Sequence, residues 1–544
     1  MVGTDRRQTM ETPDFPRDLE RLFNPESVAV VGASNAPGKW GFMMPMNILG
    51  GGYRGGLYMV NPNEQSVLGL PTFGSLLDIG APVDLAILTI PAKKVAGILR
   101  EAASIGVRNV VIVASNFREV GAEGTDLELE IARIANESGI TIVGPNTMGI
   151  YSSTSSFCAL GAPVFPRQGE VGFISQSGNL GVQLLSWGRR RGIGFSRFVG
   201  SGNSANTEIS DYLAFLGDDP NTGIILLYIE GIDDGNRLLE VARRITPHKP
   251  IVALKAGRGE QGRSAARSHS GALAGAFDLF KGMFEQAGIL IAGSTEELVD
   301  LAAALSSVPL PRGDRVAVMT MGGGWGVAAA DACDREGLEL ATLSESLVSE
   351  LDSFLPSFWS RRNPVDIVGN VKRSSHFRVL DSLAKSPDVD MVVAMGTLLG
   401  KGFFTDNILN TVVRPVYFLA RLRTTRLVSF ALAITRGLSK SWSRRGERDP
   451  EGSGGIDPSE MSKWTDSAIV NRMKALMEDE RKPIIAVSVN EEESSFLRLK
   501  GSRLYIASSP ERAIRVAGKM VAYSRFRASA GPEPDAPDLE GDSG

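Results

Sequence analysis

The chain has 544 residues, 43% hydrophobic and 22% charged, with a formal net charge of −4, which suits a globular protein of roughly three or four domains. That balance excludes a general attraction to nucleic acid or anionic membrane, and no run of about 18 apolar residues is present to span a bilayer. Cys158 and Cys333 give neither metal-ligand spacing nor a disulfide framework, so each reads as a small buried hydrophobe in a reducing compartment. Residues 1–18 form a polar tail without the apolar core of a signal peptide, and a cytoplasmic location is expected.

Residues 19–148 read as a first α/β domain. Val28 to Val31 form an apolar run that enters Gly32, in VAVVGASNAPGKWG. A strand, a glycine turn and a helix make a nucleotide-type βα turn, where a phosphate approaches backbone N–H groups. The spacing is not GxGxxG, so no dinucleotide fingerprint is present. LYMVNPN, VDLAILTIP, NVVIVAS and ITIVGPN follow as further strands, with AKKVAGILREAASIG as a helix between them. This alternation predicts a parallel sheet with helices on both faces and ligands at the strands' carboxyl ends. Ser34, Asn63, Pro91, Ser115 and Asn116 fall at those ends, where turn formation alone also accounts for such residues.

Residues 149–310 begin a second α/β series with GEVGFISQSGNLGVQLLSWG. The turn between strand and helix holds Ser175, Gln176, Ser177, Gly178 and Asn179, a helix start suited to an anion. A plain N-cap explains Ser177 by itself but not two serines and a glycine in one turn. GIILLYIEGIDDG predicts a strand ending at Glu230, and KPIVALKAGRG a strand leading to His269 in SAARSHSGALAG. Of three histidines, His248 falls in a turn and His376 on a helix expected to be exposed; only His269 is surrounded by Ser, Ala and Gly. A histidine beside a carboxylate and an anion-binding helix start has the makings of a nucleophile toward phosphorus. There is no GxSxG elbow for a serine hydrolase, and no second histidine lies at ligand spacing, so no metal site is expected.

Residues 313–526 read as a third α/β domain. RVAVMTMGGGWGVAAADACDREG repeats the strand, glycine loop and helix, with Gly323 and Gly324 at a second candidate phosphate site; close helix–sheet packing explains these glycines as well. NPVDIVGN, PDVDMVVAMG, PIIAVSVN and SPERAIRVAGKMVAY continue the pattern. A stretch at about 403–480 departs from it: a basic, apolar segment containing Arg414, Arg421, Arg423, Arg426 and Arg436, then a linker-like SRRGERDPEGSGG. The expected reading of the basic segment is a helical insertion packed on its own domain. The tail at 527–544 is rich in Pro, Gly and acid and reads as disordered.

The motifs ISQSGNLG, YIEGIDDG, RSHSGALAG, GGGWGVAAADAC and FWSRRNPVDIVG resemble the α subunit of nucleoside-diphosphate-forming acyl-CoA synthetases, relatives of succinyl-CoA synthetase that include ADP-forming acetate–CoA ligase. The resemblance spans residues 19–400 and 481–526. It implies a Rossmann-like CoA-binding domain followed by two flavodoxin-like domains of the succinyl-CoA-synthetase type. By that resemblance, Ser34, Asn35, Asn63, Ser115 and Asn116 match the CoA-contacting loops and Asn146 the loop beside the thioester, with Gly32 of the βα turn counted among the CoA-binding residues. His269 matches the phosphorylated histidine, Glu230 the carboxylate that steadies it, and Ser175, Ser177 and Gly178 the phosphate-binding helix start. The implied reaction turns acyl-CoA, phosphate and ADP into acid, CoA and ATP, reversibly, through an acyl phosphate. The family's ATP-grasp domain finds no room of about 200 residues here. A separate β subunit carrying Mg-ADP or Mg-ATP, and hence a hetero-oligomer, is therefore expected. The alternative is a non-catalytic CoA-binding regulator of the same fold.

Overall fold

A computed structural model describes residues 18–262, 277–367, 373–396, 466–488 and 504–530. Its first sheet grows from the apolar runs: Ser27–Val31 (β1), Gly56–Val60 (β2), the hairpin Ser66–Val67 (β3) and Leu70–Phe73 (β4), Leu85–Leu88 (β5), Asn109–Ile112 (β6) and Thr141–Val143 (β7). The order is β3-β4-β2-β1-β5-β6-β7, parallel except for the β3–β4 hairpin, which the sequence did not signal. Strand alternation sorts the side chains: Val28 and Val30 enter one core, Ala29 and Val31 the other. Helix Ala92–Ser104 covers the second face by burying Ala92, Val95, Ala96, Leu99 and Ala102 at helical spacing. Connections leave in opposite directions from β1 and β5, so a crevice opens beyond their carboxyl ends.

The second sheet contains Gly149–Ser152 (β8), Phe157–Leu160 (β9), Arg167–Ser175 (β10), Gly194–Gly200 (β11), Ile224–Ile229 (β12), Ile251–Lys255 (β13) and Leu290–Ile291 (β14). Its order is β14-β13-β12-β10-β11-β8-β9. The antiparallel pair β8–β9 also escaped the sequence reading. Strands β10 and β12 are hydrogen-bonded neighbours, so the turns after Ser175 and Ile229 emerge side by side.

By compactness the chain divides into two units, Met1–Ser306 with Phe526–Gly544, and Ser307–Arg525, the first of which holds the first two sheets. The first unit holds both sheets because they share one apolar core, which runs from Val30, Met44 and Ile48 to Phe157, Ile174 and Tyr212. Asn206 stitches them further: Oδ1 accepts from the Ile142 N–H at 2.9 Å, and Nδ2 donates to the Ile140 carbonyl at 2.9 Å.

In the second unit, Arg315–Thr320 (β15), Glu339–Leu340 (β16), Val365–Asp366 (β17), Met391–Met395 (β18), Ile484–Val487 (β19) and Ile506–Ala507 (β20) form a parallel sheet ordered β16-β15-β18-β19-β20, with β17 also on β15. β16 pairs with the start of β15 and β17 with its end. The Asn363 carboxamide bridges the interval, accepting from the Val318 N–H at 2.9 Å and donating to the carbonyls of Val316 at 2.7 Å and Ala341 at 3.1 Å.

Three expectations need correction here. The departure at about 403–480 does not extend to its expected end, because Asp466–Glu480 is a helix of this unit. It buries Ile469, Val470, Met473, Leu476 and Met477, and Arg472 grips Asp381 through two bonds of 2.7 and 2.6 Å. His376, expected on an exposed helix, is only 5% exposed, since helix Arg373–Lys385 packs against both β18 and that helix. The last helix runs Pro510–Ser529, past the expected limit of 526. The basic segment at 414–436 and the linker after it lie outside the described residues. Among the described residues, no helix is long and apolar enough to cross a membrane.

Candidate functional site

Gly32 follows β1 with φ +88°, and a Cβ there would stand 2.8 Å from Thr89 Oγ1, so only glycine fits. The helix expected directly after it starts only at Trp40, with Lys39 as N-cap, so Gly32 shapes the crevice and is not itself the helix start. Ser34 is buried and its Oγ accepts from the Ala36 N–H at 3.2 Å. The Asn35 side chain is spent on the β3–β4 hairpin, donating to the Ser66 carbonyl at 2.7 Å and accepting from the Leu68 N–H at 3.1 Å. Asn63 is exposed in a turn closed by Asn61, whose Oδ1 accepts from the Asn63 N–H at 2.9 Å.

On the second sheet, Ser177 is the N-cap of helix Gly178–Arg190, and its side chain makes no capping bond. The first N–H groups of that helix therefore open into the cleft, where the dipole favours an anion. A Cβ on Gly178 would come within 2.6 Å of Met148 Cγ. Ser175 is buried and donates its hydroxyl to the Ser177 carbonyl at 2.7 Å, so it locks the turn and does not face the cleft. Glu230 directly follows β12 and is 7% exposed.

A network joins the loops of the two sheets. Asn146 sits at φ +60° and its Nδ2 reaches Asn203 Oδ1 at 3.5 Å. Asn203 Nδ2 donates to Glu119 at 2.8 Å and to Glu128 at 2.7 Å, and Glu119 accepts from the Asn116 N–H at 2.6 Å. Burial opposes ionisation of Glu119, but the bonds from Asn203 and from backbone N–H groups outweigh it and hold this carboxyl below the usual range. At Glu128 burial wins over the nearby Arg118 guanidinium and Asn203, and its carboxyl is pushed up.

These elements enclose a cleft of about 230 Å³ whose walls include Trp40, Ser115, Asn146, Ser177, Gly178 and Glu230. The fold thus brings five of the sequence-predicted residues to one cleft, from loops of both sheets. Gly32, Ser34, Asn35, Asn63, Asn116 and Ser175 stand outside its lining. His269 lies outside the described residues; β13 ends at Lys255, fourteen positions before it. Sequence reasoning missed three contributors: Trp40, Asn203 and the bonding role of Gln176. It also missed Lys255, whose signal was a lysine closing the otherwise apolar strand IVALK. Among the described residues, no group of three or more His, Cys, Asp or Glu is arranged to hold a metal.

In the second unit, Gly323 and Gly324 open helix Gly323–Glu336 as expected, with Gly322 as N-cap. A Cβ on Gly323 would stand 3.4 Å from Asp366 Oδ2, and one on Gly324 would meet nothing within 4 Å.

Comparison with known proteins places this geometry. Residues 26–153 match the CoA binding domain, 168–305 the succinyl-CoA ligase like flavodoxin domain and 316–398 the ligase-CoA domain. The α subunit of acetate–CoA ligase [ADP-forming] II from Pyrococcus furiosus is 41% identical, over 69% of this chain and 82% of that subunit. Acetate–CoA ligase [ADP-forming] I from Archaeoglobus fulgidus is 38% identical over 70% of this chain, which spans only 55% of its length. Among solved structures, the dinucleotide forming acetyl-coenzyme A synthetase 1 of Ca. Korarchaeum cryptofilum, in complex with phosphate and ADP, aligns with a TM-score of 0.76 and 32% identity, covering 94% of this chain and 98% of that one. The chain belongs to the family of ADP-forming acetate–CoA ligase α subunits.

Proposed function

We propose that this chain is the α subunit of an acid–CoA ligase that interconverts acyl-CoA, phosphate and ADP with acid, CoA and ATP. The observation that carries the reading is the cleft in which the Ser177–Gly178 helix start and Glu230 meet Ser115 and Asn146. Phosphate attacks the thioester carbonyl, the C–S bond breaks, and CoA leaves as its thiol. The acyl phosphate then rests on the N–H groups after Ser177, which match its charge. One ring nitrogen of His269 attacks phosphorus, the acyl carboxylate departs, and the phosphohistidine keeps about two negative charges. Glu230 accepts a hydrogen bond from the other ring nitrogen and steadies the ring.

Within this reading Gly32, Ser34, Asn35, Asn63, Ser115 and Asn116 frame the CoA path, with Asn146 beside the thioester. Ser175 braces the Ser177 turn, and Gly323 and Gly324 form a second station for the phosphoryl group. The functional modules are residues 19–148, 149–310 and 313–526. Mg-ADP or Mg-ATP enters through an ATP-grasp β subunit in a hetero-oligomer, in the cytoplasm. A CoA-binding regulator of the same fold has no use for a buried carboxylate at the helix start. The purified chain should exchange radiolabelled phosphate into protein from acyl-CoA, yet make ATP only when a partner subunit is added. ATP formed by the chain alone, with phosphate and ADP, would refute the division of labour.

A further inference from the structure

Glu230 and Gly231 leave the ladder at the end of β12, where peptide groups ordinarily turn to water. Here two side chains take all four of their polar backbone atoms. Gln176 Oε1 accepts from the Glu230 N–H at 2.5 Å and from the Gly231 N–H at 3.0 Å, and its Nε2 donates to the Gly231 carbonyl at 2.8 Å. Lys255, 2% exposed at the end of β13, donates to the Glu230 carbonyl at 2.7 Å and to the Ala256 carbonyl at 2.7 Å. Its ammonium also lies 4.7 Å from the centre of the Phe280 ring.

Burying an ammonium is costly, and an apolar side chain of similar length would pack on Phe280 without that cost. The lysine therefore requires a reason beyond filling space. The two clamps come from the two sides of β12, Lys255 at the end of β13 and Gln176 directly after β10, since the order there is β13-β12-β10. They hold the backbone of Glu230, a residue that lines the cleft.

We infer that Gln176 and Lys255 are positioning residues that fix the Glu230 carboxylate for phosphoryl transfer, an inference that rests on the reading of Glu230 as the group steadying His269. Neither clamp bonds the reacting atoms; both hold the Glu230 backbone, the Lys255 ammonium also attracts the Glu230 carboxylate by charge, and a carboxylate displaced by even 1 Å loses much of its effect.

The test is a double-mutant cycle on the full-length chain. The readout is the initial rate of protein phosphorylation from acetyl-CoA and radiolabelled inorganic phosphate, with CoA affinity measured alongside. Lys255→Met and Gln176→Met should each slow labelling about tenfold with CoA affinity kept. Gln176→Glu, which keeps the acceptor oxygen, should recover part of the rate. Combined with Glu230→Gln, neither clamp variant should slow labelling further, because the residue it serves is already disabled. Clamp variants at the wild-type rate, or losses that multiply with Glu230→Gln, would overturn the inference. Glu230→Gln at the wild-type rate would instead remove the reading of Glu230 itself. Should Lys255→Met lose CoA binding through misfolding, the half-buried Gln176 decides by the same outcomes.

Discussion

Two helix starts in this chain look alike in sequence and differ in surroundings. The Ser177–Gly178 start opens on a cleft walled by two sheets, its hydroxyl making no capping bond, with Glu230, whose backbone is clamped, in the same lining. The Gly322–Gly324 start has Asp366 near its first turn and a neighbouring asparagine, Asn363, absorbed into the sheet. A carboxylate near a helix start meets part of the demand that a phosphate would. Glycine and a helix dipole alone therefore make a weaker station for a phosphoryl group than a start on which further groups converge.

The largest expected effect separates chemistry from scaffold. Glu230→Gln should slow phosphorylation about a hundredfold with CoA affinity little changed, read by single-turnover labelling. Asn363→Ala, by contrast, should act on stability alone. It strands the Val318 N–H and takes a donor from the Ala341 carbonyl, while the Val316 carbonyl keeps its bond from the Ala341 N–H, costing about 2 kcal/mol in denaturant unfolding of the second unit. A labelling defect without that loss would make Asn363 functional after all.

The glycines compare the two starts directly. Gly178→Ala must displace Met148, whose backbone N would lie 2.9 Å from the new Cβ, and should weaken phosphate use about tenfold. Gly324→Ala meets open space and should leave labelling intact while raising stability by up to about 0.5 kcal/mol through helix propensity. Equal tolerance at both positions would erase the contrast between the two starts.

The smallest effect is a pH dependence at Lys255. Burial, together with the Arg258 charge and against the pull of Glu230, lowers its pKa to about 8. The sign follows from proton counts: above pH 8 the folded chain has released a proton that the unfolded chain still holds, so unfolding becomes harder as pH rises. From pH 7 to 9 the wild type should gain about 1 kcal/mol relative to Lys255→Met, measured by denaturant unfolding at each pH. No change in the gap would mean that the lysine is not desolvated.

Much of the fold was legible because buried parallel strands leave short apolar runs, and the ends of those runs carried Gly32, Ser177 and Glu230. The hairpins β3–β4 and β8–β9 escaped because two- to four-residue strands leave no periodic signal. The close packing of the first two sheets escaped as well, since it depends on Asn203, Asn206 and a shared core, contacts that no local pattern encodes. Asp466–Glu480 was hidden by the unusual stretch before it, although its apolar residues recur at helical spacing. The candidate site was legible in residue types but not in bonding. Asn35 and Ser175 turned out to be spent on turns, and Gln176 and Lys255 on the backbone of Glu230.

The most direct test is to map the phosphoryl group. The chain is incubated with acetyl-CoA and radiolabelled phosphate, digested, and the labelled peptide sequenced by mass spectrometry, with His269→Ala in parallel. The account predicts acid-labile label on the peptide containing His269, and none in the variant. Label that survives acid, sits on Ser177 or another residue, or persists in His269→Ala would contradict it.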